Sequence, residues 1–315
     1  MLKQVLQWSS PGGAKAPLSV LIFHQVLSQP DFLFPEEMHA GRFDEVCRWL
    51  KTWFNVLPLD EAGTRLRAGT LPARSACITF DDGYADNYHV ALPILRRHSL
   101  TATFFIATGF LDGGCMWNDT IIESIRACTK HSLDLSTIGL GFHACGSVDE
   151  KRAAISALID QIKYRQVEQR VLLTEKIAKI CRVQLPRNLM MSPDEVKAMH
   201  RAGMQIGAHT VSHPILAQLS NDKAREEIQR SKCSLELLLG ERVSLFAYPN
   251  GKPSEDYTVN NVEVVRSLDF DTAVSTQWGA SRMGADYFQI RRFTPWDRTK
   301  LRFGIRMLAN LRGLT

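Results

Sequence analysis

Short, wholly apolar runs separated by longer stretches with helical spacing dominate the chain. Ser19 to Val26 reads SVLIFHQV, Ser75 to Phe80 reads SACITF and Ala102 to Ala107 reads ATFFIA. Each is a β-branched and aromatic run of strand length bounded by turn residues. Between them, Phe43, Val46, Cys47, Leu50 and Phe54 recur at helical spacing over residues 41–54, as do Leu92, Ile94 and Leu95 over residues 85–98. VLPLDEA, residues 56–62, reads as a short strand turning into a helix. Strands apolar throughout and alternating with helices predict a parallel sheet covered by helices on its outside.

The alternation resumes late in the chain. Strands are expected at 204–208, 243–248, 272–275 and 287–293, with helices at 221–239 and 259–268. Ser192-Pro193-Asp194-Glu195 has the capping-box spacing with proline at the first helical position, so another helix starts there and stops at Gly203. Residues 117–183 break the rhythm, with helical spacing at 119–130 and 148–181 and a polar loop between. They predict a helical insertion over about residues 115–190 within a domain covering residues 18–299.

The Gly/Pro-rich SPGGAKAP sets residues 1–17 aside as an appendage and linker. Residues 300–315 form a basic amphipathic helix, with Leu301, Ile305, Leu308 and Ala309 near one face and Lys300, Arg302, Arg306 and Arg312 beside them. Such a helix either packs on the body of the protein with its basic side solvated or lies in a membrane interface.

Composition narrows the class. The 315 residues are 45% hydrophobic and 23% charged, which excludes wholesale disorder and fibrous repeats. The net charge of +5 is spread along the chain rather than gathered in a stripe, so nucleic acid is not an expected partner. Seven cysteines with no CxxC give neither a zinc knuckle nor a disulfide scaffold, and a reduced compartment fits. No apolar run reaches the ~20 residues of a membrane span and none resembles a signal-peptide core. The expectation is a cytoplasmic protein, at most resting on the inner face of a membrane.

Two motifs carry the chemistry. Thr79-Phe80-Asp81-Asp82-Gly83-Tyr84 puts adjacent carboxylates at the end of a buried strand, where α/β folds present functional groups. One can bind a cation while its neighbour takes a proton; the plainer reading is a turn capping the next helix. His209-Thr210-Val211-Ser212-His213-Pro214 follows another strand, with two imidazoles on one side of a single helical turn that Pro214 must end. Asp82, His209 and His213 together make a one-carboxylate, two-imidazole set suited to a borderline divalent metal with open positions.

TFDDGY followed by HTxxHP resembles the polysaccharide deacetylase family (carbohydrate esterase family 4) over roughly residues 18–294. The resemblance implies a distorted (β/α) barrel and metal-dependent removal of an N-acetyl or other N-acyl group from an amino sugar. Asp82, His209 and His213 would then hold a divalent metal, zinc first with cobalt or nickel as alternatives, and Asp81 would be the general base. A third family motif matches Phe246-Ala247-Tyr248-Pro249-Asn250-Gly251. Its oxyanion-steadying backbone N–H falls on Asn250, while its arginine position is Ala247, leaving Arg292 as a substitute partner for Asp81.

No histidine follows His213, and His24 in Ile22-Phe23-His24-Gln25-Val26 resembles the acid-bearing motif of the poly-N-acetylglucosamine deacetylase branch. Tyr248 and Trp296 are candidates for contact with the sugar, with Trp117 and Trp278 behind them. Alternatives are a deformylase of a lipid-linked amino sugar, or a non-catalytic carbohydrate-binding or scaffold protein of polysaccharide assembly. The complete Asp81, Asp82, His209 and His213 set argues against a silent module.

Overall fold

The computed structural model describes residues 2–314. Its strands are β1 Ser19–Phe23, β2 Asn55–Val56, β3 Ser75–Phe80, β4 Thr103–Ile106, β5 Ser132–Asp134, β6 Phe142–Ala144, β7 Gln205–Ala208, β8 Leu245–Ala247, β9 Thr272–Trp278 and β10 Ile290–Phe293. The chain divides into two compact units. The first comprises residues up to Gln29, Glu37–Leu111 and Met191 onward; the second comprises Pro30–Glu36 and Asp112–Met190.

The first unit is a closed (β/α) barrel. Its strands run in the order β1-β10-β9-β8-β7-β4-β3, and β3 returns to β1 over the full register Ser19↔Ala76 to Phe23↔Phe80. All seven pairings are parallel. The short β2 pairs with the start of β3 beside the ring.

Closure explains why β1, β3, β4 and β8 show no hydrophobic alternation: both faces of each are buried. Alternate side chains nevertheless sort into two sets. Leu21, Phe23, Ile78, Phe80, Phe104 and Ile106 pack outward with Phe43, Val46 and Leu50 of helix Ala40–Trp53. Val20, Cys77, Phe105, Leu245, Ala247, Val274 and Ile290 meet inside the ring, capped by Leu59, Ala62 and Leu66 of helix Leu59–Ala68. Gly207 makes room for this interior, since a Cβ there would lie 2.5 Å from the Phe105 ring.

Several local expectations shift. The helix after Tyr84 opens with a π-turn, Asn87–Ala91, before the regular helix Leu92–His98. Residues 2–9, set aside as an appendage, form helix Leu2–Ser9 with Leu6 fully buried. The apolar face assigned to the C-terminal helix is corrected. Lys300–Arg312 buries Phe303, Met307 and Leu311, while Leu301 and Ile305 point to solvent.

The second unit packs helices Trp117–Ala127, Val148–Ile162 and Val167–Cys181 with the antiparallel hairpin β5–β6. The expected single helical stretch 148–181 is thus two helices, and the polar loop before it contains the hairpin. Ile121, Ile125, Leu133, Leu135, Ile155, Leu158, Ile162 and Ile177 form its own core. A capping box between Ser147 and Glu150 starts the second of its helices.

Candidate functional site

The site lies at the C-terminal ends of the barrel strands. As β3 ends, the Asp81 N–H donates to Phe23 O at 3.0 Å, keeping the carboxylate inside the ring. Asp82 then enters the left-handed region at φ 75°, and Gly83 follows at φ 91°. Thr210, His213 and Asn250 are also left-handed, at φ 65°, 50° and 57°. A non-glycine residue in this region costs about 1–2 kcal/mol, so the strand-end loops hold strain around the two carboxylates and the two imidazoles.

Asp81 is gripped by Arg292. Nη1 donates to Oδ1 and Nη2 to Oδ2, both at 2.7 Å, while Nε donates to Ser275 O at 2.9 Å and Nη1 also reaches Thr79 Oγ1 at 3.3 Å. Both residues are almost wholly buried. Burial alone would lift the Asp81 carboxyl, but the Arg292 guanidinium outweighs it, assisted by His209 and His24, and holds it below the usual carboxylate range. Asp81 is therefore an oriented, ionised carboxylate.

Asp82, His209 and His213 converge. His209 Nδ1–H donates to Ala247 O at 2.7 Å, which leaves the Nε2 lone pair facing Asp82 Oδ1 at 3.4 Å. His213 Nε2 lies 3.3 Å from the same oxygen. Donors of a four-coordinate divalent metal at ordinary bond lengths sit about 3.4 Å from one another. Asp82 Oδ1 is buried and receives no hydrogen bond. An orphaned carboxylate oxygen facing imidazole nitrogens at this spacing fits a bound cation. Burial would weaken His209 as a base, yet Asp82 and Asp81 beside it raise its pKa overall.

The two imidazoles do not share a helical turn, as their spacing suggested. Residues 209–215 are an irregular loop, and the left-handed Thr210 and His213 bring the rings to 4.9 Å between centroids. Glu227 on helix Asn221–Leu239 stabilises that loop, accepting from the N–H groups of Val211 and Ser212 at 2.9 Å and from Ser212 Oγ at 2.8 Å.

His24 is exposed just beyond β1, close enough for its charge to act on both carboxylates. A two-point clamp holds its loop. Asn87 Nδ2 donates to His24 O at 2.8 Å and to Asp86 Oδ1 at 2.9 Å, and Asp86 accepts from the Val26 N–H. Burial, with Glu37 nearby, pushes the Asp86 carboxyl up to about 7 against those hydrogen bonds. These residues, like Glu227, were missed. Polar side chains at the head of a helix look solvated, and only the π-turn directs consecutive residues 86 and 87 toward one loop.

Asn250 follows β8 in a tight turn whose Gly251 donates to Pro249 O at 2.6 Å. Its N–H makes no hydrogen bond among the described residues. Tyr248 corrects the expectation of sugar contact. It is fully buried, its ring stacks on Tyr257 at 3.9 Å, and strand parity turns it to the outer face because Ala247 points inward. Trp296, past the end of β10, is 57% exposed. Trp278 lies 5.7 Å from it, and the Arg306 guanidinium covers both rings at 4.2 and 5.1 Å. Trp117 lies in the second unit, with the Arg170 guanidinium 5.3 Å from its ring.

Comparison with known proteins points one way. The sequence profile described as polysaccharide deacetylase matches residues 68–273. YxkH of Bacillus subtilis (strain 168), a protein named for the same family, is 20% identical over 279 residues, covering 88% of this chain and 71% of its own. The deacetylase PplD of Streptococcus pyogenes, solved in complex with acetate, superposes with a TM-score of 0.62 at 19% identity, covering 94% of this chain and 98% of its own. IcaB from Ammonifex degensii superposes with a TM-score of 0.61 at 19% identity, covering 96% and 98%. These likenesses show a shared barrel.

Proposed function

Because the chain belongs to the polysaccharide deacetylase family, and so is a hydrolase of non-peptide carbon–nitrogen bonds with a carbohydrate substrate, we propose that it removes an N-acetyl group from an amino sugar in a polysaccharide or glycolipid precursor. The observation that carries this reading is the orphaned Asp82 Oδ1 facing His209 and His213 Nε2 beside an Asp81 held by Arg292.

Asp82, His209 and His213 would hold a divalent metal, zinc first by their donor chemistry. Such an ion, when bound, makes a neighbouring water acidic and polarises the amide carbonyl. Asp81, kept ionised and aimed by Arg292, accepts the proton of the attacking water. The Asn250 N–H donates to the oxygen that gains charge as the tetrahedral centre forms. His24 hands a proton to the sugar nitrogen, so the carbon–nitrogen bond breaks to an amine rather than an amide anion. Trp296, with Trp278 beside it, offers an exposed aromatic face on which a sugar ring can stack.

The test is acyl release from a panel of N-acetylated and N-formylated amino-sugar oligosaccharides by wild-type protein and by Asp81→Asn. The proposal expects acetate release by the wild type and loss of about 10³-fold or more in the variant. Formate release alone would move the assignment to a deformylase. Unchanged activity in Asp81→Asn would overturn the base.

A further inference from the structure

The corrected orientation of the C-terminal helix leaves an unusual surface. Lys300–Arg312 turns Phe303, Met307 and Leu311 into the barrel unit, yet Leu301 remains 66% exposed and Ile305 54%, with Leu308 half-buried between turns. Spacings of four and three residues align these side chains along one outward side. Lys300, Arg302 and Arg312 are exposed around that stripe, and the helix has no acidic residue. Arg306 is not among its outward charges, since it pairs with Asp297 at 2.8 Å and stacks on Trp296. The neighbouring helix Leu2–Ser9 also has no acidic residue. Arg312 Nε donates to Ser9 Oγ at 3.1 Å, so the ends of the two helices adjoin.

We propose that this face rests on an anionic lipid surface. An outward apolar stripe ringed by cations and lacking anions complements negatively charged headgroups, with the long basic stems reaching outward while Leu301 and Ile305 enter the acyl boundary. A second copy of the chain is the weaker fit, because a two-fold contact through this face would set its cations against the same cations. Among the described residues no helix is long and apolar enough to cross a membrane, so the contact is peripheral. The helix begins seven residues after β10, whose Arg292 holds Asp81, so the stripe starts near the rim that carries the carboxylates. A saccharide carried on a lipid is the substrate form this placement suits, a statement that rests on the proposed function.

The experiment is co-sedimentation of the full chain with sucrose-loaded vesicles of phosphatidylcholine, with and without phosphatidylglycerol. Wild-type protein, Leu301→Ser/Ile305→Ser and Arg302→Glu are compared, each checked for an unchanged circular dichroism spectrum. Binding of the wild type to phosphatidylglycerol vesicles, weakened at least about tenfold by the double substitution and also weakened by Arg302→Glu, is the expected result. Absence of wild-type binding, equal binding to pure phosphatidylcholine, or binding untouched by the double substitution overturns it. So does a dimer that the same substitution abolishes without any vesicle binding, which would assign the face to a second copy. Vesicle binding reads this surface and release of acyl groups from a soluble saccharide reads the catalytic site, so failure of one is distinguishable from failure of the other.

Discussion

Arg292 and Asp81 form a buried two-bond fork, 2.7 Å at each arm, joining the end of β10 to the end of β3 across the β1 strand that lies between them. Breaking such a pair from one side strands the other charge. Arg292→Ala is expected to destabilise the protein by about 3–5 kcal/mol and to remove most activity. Combining it with Asp81→Asn, which removes the stranded charge, should recover part of the stability and none of the activity. Thermal unfolding of the two single variants and the double variant, set in one cycle, measures this; additive losses would contradict the pairing.

The Asn87 clamp predicts a defect in rate without a defect in metal content. Asn87→Ala leaves the His24 carbonyl without its donor and frees the loop that carries the imidazole. Turnover should fall by about 10–100-fold, with bound metal unchanged and a cost of about 1–3 kcal/mol in stability. Steady-state kinetics alongside metal analysis separate this from general collapse, in which both would fall together.

Asp86 gives stability an inverted pH dependence. Its folded pKa of about 7 lies above the ordinary aspartate value near 3.9, so between those values the folded state binds the extra proton. The contribution of Asp86 is therefore fully favourable below about pH 4 and is lost as pH rises through 7. Asp86→Asn keeps an acceptor for the Val26 N–H and cannot ionise. It should be more stable than wild type at pH 8, on the order of 4 kcal/mol, and the difference should vanish near pH 4. Urea unfolding at the two pH values checks the sign; a larger gain at pH 4 would contradict it.

The barrel was legible because its strands are buried on both faces and read as continuous apolar runs, as in SACITF and ATFFIA. The Asp82, His209 and His213 set was legible because each motif directly follows such a run. Loop conformation was not. Nothing in HTVSHP announces that Thr210 and His213 are left-handed rather than helical, and the π-turn that aims Asp86 and Asn87 has no composition of its own. Tyr248 faces away from the site because strand parity turns Ala247 inward and the next residue outward, and its neighbourhood in the motif does not show this. The C-terminal helix was misoriented because it is apolar on two sides. Leu301 and Ile305 make as good a stripe as Phe303, Met307 and Leu311, and only tertiary packing chooses between them.

The convergence of Asp82, His209 and His213 on one cation is tested most directly by elemental analysis of the purified protein. The account predicts about one divalent metal per wild-type chain and a loss of at least about tenfold in metal affinity in both Asp82→Asn and His209→Ala, with each variant still folded. Metal-free wild-type protein that hydrolyses its saccharide at full rate, or variants that retain the metal as tightly as the wild type, would contradict it.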